Sequence, residues 1–154
     1  MPQGAFKETN QNSVGYNLQL ESRAFCNVWY GVRIDYINYQ ENPANTGLNY
    51  LKDAVLLSPE FRYNFFSANC YKNVMLPYLQ VMLTYSSIGG TDSANRSGLG
   101  AAGGAGLVFP FRLFGACWSF DFNAQYMAPN FIFRSEDRSS VQSFNFSITL
   151  GIGL

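Results

Sequence analysis

At 154 residues the chain has the size of one domain, and its ten Lys and Arg balance ten Asp and Glu, so no acidic or basic field points to nucleic acid or to a polybasic membrane contact. Charged residues make up 13% and aromatics 17% of the chain; a soluble domain carries roughly 25% charge to cover its surface, yet no run here approaches the ~18 consecutive apolar residues of a membrane helix. Histidine is absent, which removes the commonest general base and a common metal ligand.

Residues 1–13, MPQGAFKETNQNS, contain no apolar h-region, so an exported protein would carry its leader upstream of Met1. From Tyr16 the pattern becomes strict alternation. Tyr16, Leu18, Leu20, Ser22 and Ala24 share one face, and Asn17, Gln19, Glu21 and Arg23 the other; period two predicts a strand with an apolar and a polar side. A turn at Cys26-Asn27 leads to VWYGVRIDYINY, with Val28, Tyr30, Val32, Ile34 and Tyr36 opposite Gly31, Arg33 and Asp35. VLLSPEFRYNFF sets Val55, Leu57, Pro59, Phe61, Tyr63 and Phe65 against Ser58, Glu60, Arg62 and Asn64. Residues 74–86 follow with Leu79, Val81, Leu83 and Tyr85 against Tyr78, Gln80, Met82 and Thr84. Residues 98–111 are rich in Gly and Ala. Trp118, Phe120, Phe122, Ala124 and Tyr126 then oppose Ser119, Asp121, Asn123 and Gln125, and Phe144 to Leu154 alternate with Ser143 to Gly153.

Seven strands are clear. Short connections near 26–27, 67–73 and 112–116 alternate with longer polar ones near 40–53, 87–97 and 134–140, the layout of a membrane barrel with short periplasmic turns and longer extracellular loops. The expected fold is all-β, a transmembrane antiparallel up-and-down barrel of about eight strands forming a single domain over residues 1–154. Single-chain bacterial barrels use even strand numbers, so an eighth strand is expected from residues 1–6 or from sequence upstream of them.

A soluble lipocalin-like barrel alternates too, with its apolar face inward. Its outer face then carries many Lys and Glu. Here the polar face holds Asn, Gln, Ser, Thr and Gly together with Glu21, Arg23, Arg33, Asp35, Glu60, Arg62 and Asp121. Near-balanced charge among small residues suits a paired interior, because buried charges persist only with partners. The polar face is therefore expected to line a lumen that an eight-stranded barrel fills with side chains. The small residues of 98–111 would make room for wide ones opposite.

Other motifs carry less. Gly98-Leu99-Gly100-Ala101-Ala102-Gly103 has the letters of a dinucleotide fingerprint, but AGLVFPF follows where a helix is required; it reads as a small-residue strand. Asn95-Arg96-Ser97 and Asn145-Phe146-Ser147 are sequons by letter only. Cys26, Cys70 and Cys117 fall on one rim at spacings that suit no zinc motif. An oxidising compartment permits one disulfide, for which Cys26–Cys70 is the candidate; three unpaired or lipid-facing thiols are the other reading. No histidine activates a serine, and Glu21, Asp35 and Glu60, interleaved with Arg23, Arg33 and Arg62, suit structural ion pairs better than paired catalytic carboxylates. No catalytic residue, cofactor site or metal site is expected.

PQGAFKETNQNSVGYNLQLESR, VWYGVRIDYINYQ, FRYNFF and LPYLQ together resemble the outer-membrane β-barrel domain proteins common in Bacteroidota, small barrels of the OmpA type. Pro2-Gln3-Gly4-Ala5-Phe6, Gly15-Tyr16 and Pro77-Tyr78 match that pattern. The resemblance implies an eight-stranded barrel with no assigned activity and a first strand before Met1. The chain departs from it at Leu154, where such barrels usually end in an aromatic.

The expected function is accordingly a non-enzymatic outer-membrane barrel. It would be an anchor or an accessory subunit of a larger outer-membrane assembly, with the bilayer and other outer-membrane proteins as partners. A narrow channel or transporter for small solutes or lipids is the alternative, with an envelope enzyme behind both.

Overall fold

Alternation along the sequence is realised as seven strands in a computed structural model that describes residues 10–41, 43, 51–66, 75–90, 95–134 and 142–153. They are β1 (Asn10–Arg23), β2 (Val28–Glu41), β3 (Leu51–Asn64), β4 (Leu76–Gly90), β5 (Asn95–Leu113), β6 (Ala116–Arg134) and β7 (Ser143–Gly153). Each pairs antiparallel with the next, in one sheet of order β1-β2-β3-β4-β5-β6-β7. The sheet curls into a nearly closed barrel. The expected all-β antiparallel barrel is thus the observed fold. The region expected for an eighth strand, residues 1–6, lies outside the described residues.

Strand ends reach further than strict alternation indicates. β5 and β6 pair continuously from Leu113↔Ala116 to Gly98↔Arg134, with a register shift between Leu99 and Ala101. On β6 the bulge takes in residues 129–132, beginning at Pro129, which has no N–H to give to the ladder. A bulge resets which side faces inward, and Ala128 and Pro129 are both buried in consequence. Longer strands also change the connections. The β4–β5 link is reduced to residues 91–94, and the β3–β4 link occupies 65–75. The expected contrast of short turns on one rim and longer loops on the other is therefore blurred at the β3–β4 and β4–β5 links: hairpin pairing extends into polar segments that composition alone assigns to loops. The β1–β2, β3–β4 and β5–β6 connections define one rim, hereafter the turn rim, and the other three the loop rim.

Because every neighbouring pair is antiparallel, β1 and β7 run in the same direction, both toward the turn rim. Among the described residues they share no strand pairing. One contact between them is Thr149 Oγ1 to Asn17 Oδ1 at 3.4 Å. A cavity of about 80 Å³ opens at this seam, lined by Asn17, Asp35, Gln125, Met127 and Asn145 among others.

Side-chain direction follows the expected inversion. The outward set is apolar and exposed, with Leu20 at 71%, Ile148 at 69% and Phe61 at 62% of full exposure. Arg33, Glu60, Arg62, Gln80, Asp121 and Gln125 are buried. The interior is not uniformly polar, however. Tyr39, Ala54, Leu56, Met82, Ile88, Ala102 and Met127 form an apolar cluster inside the barrel, and strand register places it on the loop-rim side of the Arg62 level, overlapping the levels of Asp35 and Glu60 (Asp35 pairs with Leu56, Glu60 with Met82, Arg62 with Gln80). Gly106 lies where a wide partner needs space: a Cβ there would run into the Tyr78 phenol ring.

Candidate functional site

Two surfaces carry the character of the molecule: the filled lumen and the outer belt. The lumen is organised around Arg62 of β3. Its Nη2 lies 2.7 Å from Asp121 Oδ2 on β6 and its Nε 3.0 Å from Glu21 Oε1 on β1. The Asp121 contact is also a hydrogen bond. The Glu21 contact is an ion pair off the line of the N–H, since neither atom makes a hydrogen bond. The guanidinium stacks 4.1 Å above the Tyr78 ring of β4. Tyr78 donates its hydroxyl to Asp121 Oδ1 at 2.6 Å and accepts from Asn123 Nδ2 at 2.8 Å. Four strands are tied through one side chain, and β3 meets β6 directly across the lumen. Such contacts leave no open channel at this level.

A second layer repeats the logic with neutral groups. Gln80 Nε2 donates to Gln125 Oε1 at 3.0 Å, and Gln125 Nε2 reaches Met127 Sδ at 3.2 Å. Ser58 donates to Thr84 at 3.2 Å, and the Ser86 hydroxyl sits between the carbonyls of Gly98 and Pro129. Arg33 and Asp35 form an ion pair on β2, at 2.7 Å and both buried.

The structure therefore gathers most of the expected lumen set but redistributes its partners. Arg33 pairs with Asp35 as the interleaving suggested. Arg62 pairs with Glu21 and Asp121, not with its strand neighbour Glu60; its side chain is long enough to cross the lumen and meet acids on β1 and β6. Glu60 is 2% exposed and its Oε1 makes no hydrogen bond among the described residues. Arg23 departs from the expectation: it is exposed at the turn rim, where its guanidinium donates to the carbonyls of Phe25 and Cys26. Beyond the last lumen layer its side chain caps the turn. Tyr78, Asn123, Gln80 and Gln125 were absent from the expected network. Their signal was available, since all share the parity of the charged face.

The cysteine expectation needs correction. Cys26 is a free, exposed thiol at the β1–β2 turn, so the Cys26–Cys70 pairing is not made. Cys117, the second residue of β6, is the disulfide-bonded cysteine. Cys70 lies outside the described residues. A shared rim does not select a pair, because the rim runs around the whole barrel and the turn points Cys26 outward.

The outer belt is banded. Tyr16, Tyr36, Tyr85 and Tyr126 mark its loop-rim side; Tyr30, Tyr63, Phe65, Phe109 and Trp118 mark the turn-rim side. Several rings pair, as in the edge-to-face contacts Tyr63–Phe65 at 5.7 Å and Phe109–Phe122 at 5.6 Å. Tyr30 to Tyr36 spans roughly 20 Å along β2 and Trp118 to Tyr126 roughly 27 Å along β6, at ~3.4 Å per residue. A strand tilt near 40° brings these to about 16–21 Å, within an apolar band of ~25 Å. Aliphatic residues fill the space between.

No helix of the described residues is long and apolar enough to cross a membrane, and no group of metal-ligating side chains occurs among them. The chain matches no protein-family model, no curated protein and no solved structure.

Proposed function

We propose that the protein is a non-enzymatic integral barrel of the bacterial outer membrane, with a lumen plugged by its own side chains, acting as an anchor or accessory subunit of a larger outer-membrane assembly. The observation that carries this reading is the inversion of the barrel. Leu18, Leu20, Val81, Phe146 and Ile148 stand exposed on the outside, while Arg62, Asp121, Glu60 and Gln125 are buried within. Water solvates the first set poorly, and burying the second is costly without the ion pairs just described. A hydrocarbon surround makes both placements favourable. The banded belt supports the same reading, and so does the resemblance to small OmpA-type barrels of Bacteroidota.

The test is membrane insertion. Purified chain is expected to fold in lipid vesicles into a heat-modifiable, strand-rich form and to co-sediment with outer membranes on expression in a Gram-negative host. Folding in detergent-free buffer to a monodisperse soluble species would refute it. In planar bilayers the folded chain is expected to pass no steady current, because Arg62 bridges β1 and β6. Regular unit conductance would favour a narrow channel instead.

A further inference from the structure

The turn rim is built unlike a solvent-facing edge. Two of its hairpins share one construction. In β1–β2, Arg23 reaches back to the carbonyls of Phe25 (3.3 Å) and Cys26 (3.0 Å), while the Phe25 ring is 74% exposed. In β5–β6, the Trp118 indole donates to the Leu113 carbonyl at 3.2 Å, while the Phe114 ring is 94% exposed. Each turn is thus held by a side-chain clamp and presents an aromatic at its tip. Phe66, 59% exposed, stands at the start of the β3–β4 connection.

Phe114 carries a second anomaly. Phe114 and Gly115 have φ of +51° and +80°, and Leu113 pairs with Ala116. This is the two-residue hairpin turn with both central residues left-handed, which favours Asn-Gly at these positions. A phenylalanine there is strained and, at 94% exposure, gains almost no contact within the chain in return. Strain of this kind points to a use outside the fold.

Charge is distributed to match. Arg23 and Arg112 are exposed on this rim. None of the ten acidic residues falls on the turn-rim connections or the strand ends beside them. Among the described residues the acids lie in the lumen or toward the loop rim. The rim is continuous with the ring-bearing edge of the outer belt at Tyr63, Phe65 and Trp118.

We infer that the turn rim is a cationic, aromatic-tipped collar that seats among the headgroups of anionic glycerophospholipids. Phe25, Phe66 and Phe114 enter the interface and Arg23 and Arg112 meet lipid phosphates. The inference rests on the membrane reading above. Aromatic rings favour the headgroup level, and basic residues beside it are drawn to anionic lipid.

The experiment uses the full chain with its disulfide intact, labelled at Cys26 with an environment-sensitive fluorophore. It is folded into phosphatidylcholine vesicles and into mixed phosphatidylcholine–phosphatidylglycerol vesicles. Acrylamide quenching of the label is expected to fall about twofold on adding phosphatidylglycerol, and Arg23→Gln with Arg112→Gln is expected to abolish that difference, each arginine being drawn to the anionic surface. Phe114→Asn gives an independent sign. Turn chemistry alone predicts a higher urea midpoint for Asn in the left-handed position, whereas the collar predicts a lower one in phosphatidylglycerol-containing vesicles. A barrel that folds in both vesicle types, with a label indifferent to phosphatidylglycerol or a Phe114→Asn midpoint that rises, overturns the collar and leaves the membrane reading standing. A chain that folds in neither overturns both.

Discussion

Replacing Arg62 with methionine removes the one cation that three strands of the lumen share. The side chain keeps most of its length, so packing changes little, but Glu21 and Asp121 lose contacts of 3.0 and 2.7 Å, and Tyr78 loses the guanidinium 4.1 Å from its ring. Breaking a buried ion pair from one side costs roughly 3–5 kcal/mol, because the remaining charge stays buried without compensation. The side chains of Glu21 and Asp121 keep 17% and 11% of their exposure, which lets some solvent reach them and argues for the lower part of that range. A loss of about 3 kcal/mol is expected, a sizeable share of the ~5–15 kcal/mol typical of folded domains. Urea titration of vesicle-folded protein, followed by the fluorescence of Trp29 and Trp118, reads the change. Adding Glu21→Gln and Asp121→Asn to Arg62→Met removes the two charges that Arg62 contacts directly while leaving Tyr78 an amide oxygen to donate to, so most of the loss should return. An Arg62→Met variant within ~1 kcal/mol of the parent, or a triple variant as unstable as the single, would refute the argument that Arg62 neutralises the lumen. Should Arg62→Met not fold at all, the triple variant still decides the matter.

Glu60→Gln should act in the opposite direction. Glu21, Glu60 and Asp121 are three carboxyls around one Arg62, Arg33 being matched by Asp35, so removing the carboxylate without a hydrogen bond at Oε1 is expected to raise the urea midpoint at neutral pH by the equivalent of ~1 kcal/mol; a loss of that size would show that Glu60 has a compensating partner. Gly106→Ala and Gly103→Ala on the same strand should differ in sign. A Cβ at 106 meets the Tyr78 ring and costs about 1–3 kcal/mol, whereas a Cβ at 103 has Gln80 O as its nearest neighbour, 3.8 Å away, and gains about 0.5 kcal/mol from the lost flexibility of glycine; equal effects in urea unfolding would sink the space argument. Maleimide added to the folded, non-reduced chain should modify Cys26 and leave Cys117 unmodified until a reductant is supplied, as peptide mass mapping would read; native modification of Cys117, or protection of Cys26, contradicts the assignment.

The fold was legible because an antiparallel sheet writes its geometry into the sequence at period two. Trp118 to Tyr126 and Phe144 to Ile152 alternate without a break, and both are strands. The inside-outside choice was legible for a related reason: Glu21, Arg33, Asp35, Glu60, Arg62 and Asp121 each fall on the polar face of their own strand, and opposite charges among Gly, Ser and Gln suit a paired interior. Partner identity was not legible. Parity fixes the side of the sheet a residue occupies but not its height in a tilted, sheared barrel, and height decides that Arg62 meets Asp121 fifty-nine residues away and not Glu60 two away. The apolar cluster near the loop rim was hidden differently. Ala54-Val55-Leu56-Leu57 is apolar on both faces, so Leu56, wholly buried, leaves no mark in the alternation. Strand ends failed where bulges at Pro129 and Gln11/Val14 reset the period.

The division of the lumen has a consequence for assembly. Its apolar layer, from Tyr39 to Met127, can form by collapse alone, whereas the two ion pairs of the Arg62 layer are complete only when β1, β3 and β6 are all in place. β1 and β6 are distant in sequence, so the charged layer is satisfied only once the sheet has curled nearly shut. Before that point Glu21, Arg62 and Asp121 favour water, and an open sheet bearing them resists transfer into hydrocarbon. On the proposed membrane reading, the same residues that plug the finished barrel would couple curling to insertion. Neutralising all three in the triple variant should leave final stability near the parent value yet speed folding into vesicles, since the charge penalty of the open sheet is gone. Time-resolved Trp fluorescence after dilution from urea measures this; an unchanged or slower rate would place closure after insertion and break the coupling.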